Sequence, residues 1–128
     1  MQHTLAQAGE TSATQAWHRY ADLDEWSRWA PFITSVEARE RVLATGVTGT
    51  VVGVGGLRIA FEVLAVDAPA RTWRWRARLG PLALVLDHEI TERPTGGCVA
   101  LLGVSGPAPL VTAYLAPAQL ALRALVRP

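Results

Sequence analysis

The sequence predicts an α+β protein: a curved antiparallel sheet of about seven strands around a long C-terminal helix, with two short helices after the first strand. Three observations carry this expectation. Residues 34–105 read as strands broken by turn-forming stretches, "ATG", "GG", "DAPA", "GP" and "RPTGG". Connections that short join antiparallel neighbours. Residues 109–126 return to helical spacing, and a sheet with one apolar face needs that helix as its cover.

The elements follow in order. Residues 2–10 alternate weakly and read as a strand. Ser12 suits an N-cap, and Ala13, Ala16, Trp17 and Tyr20 then recur at helical spacing. A second short helix is expected over 24–29, stopped by Pro31, which disfavours helix at Ala30. Trp26 and Trp29, three apart, share one face of it. Strands are expected at 34–42, 47–54, 57–66, 71–79, 82–92 and 97–105. In the tail, Val111, Leu115, Ala118, Leu122 and Leu125 form the apolar stripe, and Pro117 should kink or interrupt the helix.

Composition narrows the function classes. A chain of 128 residues, 50% hydrophobic, is long enough for one domain over 1–128 with a core that needs no metal or disulfide staple. Mean hydropathy is +0.20, yet the longest apolar runs, "LALVL" and "CVALL", fall far short of the roughly 18 residues of a membrane helix. The opening "MQHTLAQAGE" lacks the basic-then-apolar order of a secretory signal, so a cytoplasmic protein with no membrane insertion is expected. Cys98 is the only cysteine, which excludes an internal disulfide and a multi-cysteine metal site. A net charge of +1 offers no general attraction to nucleic acid. All 12 basic residues are arginine, so Schiff-base chemistry through lysine is excluded. No metal and no cofactor is expected.

Strand alternation assigns the inward side chains. In "TWRWRARL", Trp73, Trp75, Ala77 and Leu79 share one face, and Arg74, Arg76 and Arg78 the other. In "LALVLDHEI", Leu82, Leu84, Leu86, His88 and Ile90 lie opposite Asp87 and Glu89. A tight hairpin at "GP" that sets Leu79 against Leu82 puts Trp75 against Leu86, Trp73 against His88 and, outside, Arg74 against Asp87. One register thus pairs tryptophan with leucine and arginine with aspartate.

His88 is the most informative polar residue, an imidazole on an apolar face. Its functional reading is a general acid/base or a hydrogen-bond anchor for a ligand. Its structural reading is a core histidine satisfied by Trp73 or Tyr114. Tyr114, one turn after Leu110, puts a hydroxyl at the gap between helix and sheet, so His88 and Tyr114 are the catalytic candidates. Asp87 and Glu89 cannot complete a triad with His88, because adjacent strand side chains point to opposite faces. The same geometry separates the outer arginines from the tryptophans and argues against a nucleic-acid surface.

Arg58 and Glu62 are expected outside, unless a bulge after "GG" reverses Arg58. Cys98 reads as a small buried hydrophobe, and His18 and Arg19 as solvated residues of the first helix. "GVGG" joins two strands and offers no helix N-terminus to a phosphate. Trp26, Trp29 and Phe32 should cap one end of the grip. With Phe61, Trp73, Trp75, Leu86, His88, Ile90 and Tyr114 they make the expected ligand-binding set.

In the order of "EWSRWAPF", "FEVLAVDAPAR" running into "WRWR", "LDHEITERPTGG" and the closing helix, the chain resembles the START-like superfamily (SRPBCC, Bet v 1-like). It is most similar there to the polyketide cyclase/dehydrase family. The resemblance spans almost the whole chain. It implies a helix-grip fold whose deep cavity takes hydrophobic molecules such as lipids, sterols or polyketides. It implies no single reaction, since members include cyclases, aromatases and carriers. Two departures bear on the cavity mouth: Ala30 stands where many relatives have Asp, and Pro117 interrupts the last helix pattern.

Three functions remain open on these grounds. One is a cofactor-independent cyclase, aromatase or dehydratase that folds a polyketide-like substrate, with His88 or Tyr114 moving protons. Another is a non-catalytic carrier or sensor of an apolar ligand. The third is an interaction module with a vestigial cavity. The scarcity of inward polar groups favours hydrophobic-ligand binding.

Overall fold

The computed structural model describes residues 1–128. In chain order its elements are β1 (Gln2–Gly9), α1 (Ala13–Ala21), α2 (Trp26–Trp29), β2 (Ile33–Ala38), β3 (Thr48–Gly53), β4 (Arg58–Asp67), β5 (Thr72–Leu79), β6 (Leu82–Glu92), β7 (Cys98–Ser105) and α3 (Ala108–Leu125). The seven strands make one antiparallel sheet in the order β1-β7-β6-β5-β4-β3-β2. Consecutive strands from β2 to β7 are neighbours, as short turns require, and β1 closes the far edge against β7.

The β5–β6 register agrees with the sequence reading at each pair: Leu79 with Leu82, Trp75 with Leu86, Trp73 with His88 and Arg74 with Asp87. On the outer face Arg74 bonds Asp87 at 2.7 Å, Arg76 bonds Glu62 at 3.4 Å and Arg58 bonds Glu37 at 2.7 Å. Arg58 is therefore outside and not reversed by a bulge. These exposed pairs contribute little to stability. They mark which face of the sheet meets water.

Three boundaries differ from the sequence expectation. The helix expected over 24–29 is a 3-10 turn at Leu23–Glu25 followed by the single turn of α2. Asp22 caps the 3-10 turn through the Asp24 N–H, so the chain tightens before it becomes α-helical. The strand expected over 34–42 ends at Ala38. Beyond it Arg41 bonds Asp24 and the carbonyls of Val36 and Ala38, and Leu43 N–H donates to Ala21 O, so the chain folds back over the α1–α2 junction.

The third difference is Pro117, which neither interrupts nor ends α3. Proline in a helix interior costs about 3 kcal/mol. Val111, Leu122 and Leu125 are buried from the same helix, each worth about 1.5–3 kcal/mol. Packing therefore outweighs the local preference.

The C-terminal end of α3 is pinned to the start of the chain. Gly9 has no side chain where a Cβ would collide with the Val126 backbone, so the helix end can lie against β1. Thr11 N–H donates to Val126 O, and the Arg19 guanidinium bonds the carbonyls of Leu125 and Arg127, both at 2.6 Å. Arg19 is thus not the solvated residue that α1 periodicity suggests. It satisfies carbonyls that a helix end leaves open, with a cation on the negative end of the helix. Arg19→Ala is expected to lower the free energy of unfolding by about 2 kcal/mol. Arg19→Lys should recover less than half of that, since it keeps the charge and loses the fork. Urea denaturation of the three proteins measures both.

Candidate ligand-binding site

The core lies between the concave face of the sheet and α1, α2 and α3, and it is not solid. A cavity of about 220 Å³ separates α3 from the sheet, lined by 22 residues of which 20 are hydrophobic. Leu57, Leu79 and Ala113 line it and are themselves exposed, so they mark its opening.

α2 places two of the tryptophans. Each indole N–H donates back to the last turn of α1: Trp26 to Tyr20 O at 2.9 Å and Trp29 to Arg19 O at 2.9 Å. Carbonyls that α1 would leave unpaired thereby fix both rings with their apolar bodies inward. Trp26 is buried and packs its ring on Phe61, Trp73 and Trp75, with centroids 5.4–5.6 Å apart. Trp29 is only partly buried and meets Tyr20 edge-on. Phe32, just past α2, contacts Tyr114 of α3 edge-on, which closes the cavity between the two helices.

His88 borders the cavity with both ring nitrogens engaged. Trp75 Nε1–H donates to His88 Nε2 at 2.9 Å, so Nε2 is the unprotonated nitrogen. The ring proton then sits on Nδ1, 3.0 Å from the Tyr20 hydroxyl. Burial lowers the His88 pKa from 6.5 to about 3, so the ring is neutral at physiological pH. The same burial, with smaller contributions from Tyr114 and Cys98, pushes the Tyr20 hydroxyl well above its usual range.

The partners expected for a core histidine were Trp73 or Tyr114, and the structure supplies Trp75 and Tyr20 instead. Trp73, directly opposite, lies flat on the imidazole, with centroids 4.4 Å apart and planes at 10°. A stacked ring cannot aim its N–H at a nitrogen whose lone pair lies in the other ring's plane. Trp75, the diagonal neighbour, can. Trp73 Nε1 consequently has no partner and is fully buried.

Of the expected ligand-binding set, Trp26, Trp29, Phe32, Trp73, Trp75, Leu86, His88 and Tyr114 line the cavity, and Phe61 and Ile90 do not. Phe61 faces inward as alternation requires, but Trp26 and Trp75 stand between it and the space. Ile90 is buried further along β6, beyond the reach of the cavity. Tyr114 lines the wall from α3, where burial pushes its hydroxyl pKa up. It meets no hydrogen-bond partner in the protein.

Sequence reasoning missed Ile33, Val51, Ile59, Leu84, Leu102 and Pro117 as lining residues. Their signal was present for the strands, since Leu84 shares a face with Leu86. Nothing in the spacing said how far along each strand the space extends.

The chain compares with known proteins as follows. The pattern of the family described as "Polyketide cyclase / dehydrase and lipid transport" matches residues 9–126. No functionally curated protein matches the sequence. Among solved structures, Ara h 8.0201 is 16% identical, with a TM-score of 0.78 over 98% of this chain and 94% of its own. Protein MLL2253 from Mesorhizobium loti is 17% identical, with a TM-score of 0.82 over 98% and 93%. XoxI from Bacillus cereus is 15% identical, with a TM-score of 0.76 over 98% and 92%. At these identities the likeness establishes the fold.

Proposed function

Since this chain belongs to the polyketide cyclase/dehydrase and lipid transport family of the START-like (SRPBCC) superfamily, we propose that it binds one apolar, compact small molecule in the cavity under α3. The observation that carries this reading is the cavity itself, walled almost wholly by hydrophobic side chains. Its volume sets the size of the ligand. Pockets for drug-sized molecules run to about 300–1,000 Å³, and about 220 Å³ lies below that range. A fused-ring molecule of polyketide type fits such a space better than a long acyl chain.

One polar group on the wall orients the ligand: the Tyr114 hydroxyl, on a residue that lines the cavity from α3, bonds nothing in the protein. An oxygen-bearing ring compound would give it a partner. His88 holds Trp75 and Tyr20 in place and positions the pocket wall. Tyr114 is the side chain able to pass a proton to a bound substrate, and cyclase-type chemistry in this cavity would run through it.

Intrinsic tryptophan fluorescence tests the reading. Hydroxylated anthraquinones should quench it saturably, and palmitate should bind at least about tenfold more weakly, because its chain exceeds the space. Ala121→Phe, which puts a ring into the cavity, should abolish quenching in a protein that still unfolds cooperatively. Quenching that never saturates, or that Ala121→Phe leaves intact, would sink the proposal. Tyr114→Phe separates carrier from enzyme: a carrier loses affinity, and an enzyme loses turnover with affinity retained.

A further inference from the structure

The sheet ends in two edge strands, and they are built differently. β2, at one edge, pairs with β3 through a register shift between Ile33 and Ser35. It carries Glu37 in an ion pair with Arg58 and runs on into Arg39 and Glu40. A bulge and charged side chains are the usual devices that keep an edge from pairing with another chain. β1, at the other edge, has neither. Gln2–Gly9 pairs with β7 without a break, and "QHTLAQAG" contains no acid, no lysine, no arginine and no proline.

The hydrogen bonds show which backbone groups β1 leaves open. The Met1 ammonium donates to Gly106 O at 2.9 Å and Gly106 N–H donates to Met1 O at 3.0 Å, so this pair exchanges both bonds. Antiparallel ladders alternate. His3, Leu5, Gln7 and Gly9 therefore also bond β7, and Gln2, Thr4, Ala6 and Ala8 turn N–H and C=O away from it. Those four residues are all exposed, and no strand lies beyond them. Ala8 O accepts from the neighbouring Gln7 side chain at 3.0 Å, as an outward carbonyl can.

We propose that two copies of this chain pair β1 with β1 in antiparallel order about a two-fold axis, joining their sheets into one. Self-complementarity identifies the partner. With the axis at Leu5, Gln2 of one copy faces Ala8 of the other and Thr4 faces Ala6, each pair repeated by symmetry. Every outward group is then bonded, through about eight hydrogen bonds. Sliding the register by two residues leaves one pair unmade. The half-buried Leu5 side chains meet each other across the axis. The Met1 ammonium falls opposite Gly9 and His3 opposite Gln7, so no group meets its own charge. Alanine and threonine side chains give a foreign peptide little to recognise, whereas a second copy matches the row by symmetry. A single strand pair is a small interface, below about 1,200 Å², so the dimer is a weak one.

Sedimentation velocity of this chain between about 1 µM and about 200 µM tests this, with a monomer expected at the low end and a reversible dimer at the high end. Ala6→Pro removes an outward N–H and leaves the β7 ladder intact. It should weaken the dimer at least about tenfold, with unfolding midpoints measured alongside so that the loss is read from folded protein. Thr4→Lys with Ala6→Lys sets lysine against lysine between the copies and should leave only monomer. Thr4→Lys with Ala6→Glu sets lysine against glutamate and should restore the dimer. Amide exchange gives a second reading: Thr4, Ala6 and Ala8 should slow as concentration rises, while Leu5 and Gln7 are protected throughout.

A chain that stays monomeric at about 200 µM overturns the proposal. So does a dimer that both Ala6→Pro and the lysine pair leave intact, or equal behaviour of the two charged double variants. No ligand enters these measurements, so their outcome is independent of the cavity.

Discussion

Acidification from about pH 7 to about pH 4 is expected to destabilise the protein by about 3 kcal/mol through His88 alone. The folded-state pKa, about 3, lies below the 6.5 of the free side chain. Between those values the unfolded chain binds the proton that the folded chain refuses. Stability is therefore fully present above about pH 6.5 and is lost progressively as pH falls towards 3. The cause is structural: a charged imidazole would be desolvated, and its Nε2, once protonated, could no longer accept from Trp75. Urea denaturation across this pH range would be run on the wild type and on His88→Gln. The carboxylates titrate in both, so the difference between the two curves isolates His88. Parallel curves would mean that water reaches the ring and that it titrates as in the unfolded chain.

Trp26→Ala is expected to cost about 3–5 kcal/mol of folding stability, the most of any single tryptophan truncation. Its ring is 1% exposed, touches three other aromatic rings, and ties α2 to α1 through the Tyr20 carbonyl. Removing it leaves a hole that the sheet behind cannot fill and an unpaired carbonyl beside it. Trp29→Ala should differ in kind. That ring is partly exposed at the cavity wall, so its loss should weaken ligand binding more than it lowers stability. Equal stability losses for the two variants would contradict the division between core and wall drawn here.

Much of the architecture was legible because period-2 alternation and turn residues constrain one another. The β5–β6 hairpin shows why: two glycine–proline residues fixed the pairing of Leu79 with Leu82, and eight side chains then had only one choice of face. Helix ends were legible where chemistry marks them, as at Ser12, which accepts from Gln15 N–H, and at Ala30 before Pro31. The helix runs on through Pro117 without interruption because a local penalty of a few kcal/mol competes with tertiary burial that no window of sequence contains.

The site divides along the same line. By itself the sequence determined the fold class, the inward set on each strand and the presence of one imidazole among apolar neighbours, since all of these follow from spacing and side-chain chemistry. Only the tertiary structure decided that α1 brings Tyr20 onto His88, that Trp75 and not Trp73 bonds its Nε2, and that Phe61 sits behind tryptophan while Leu102 reaches the cavity. It also decided that four exposed apolar residues on two separate turns, Val54, Leu57, Leu79 and Leu82, share one end of the sheet. Those outcomes depend on how elements distant in the chain meet and on ring orientations within angstroms. Hydrogen-bond direction and burial are properties of three-dimensional neighbours, and residue spacing along a strand carries no record of them.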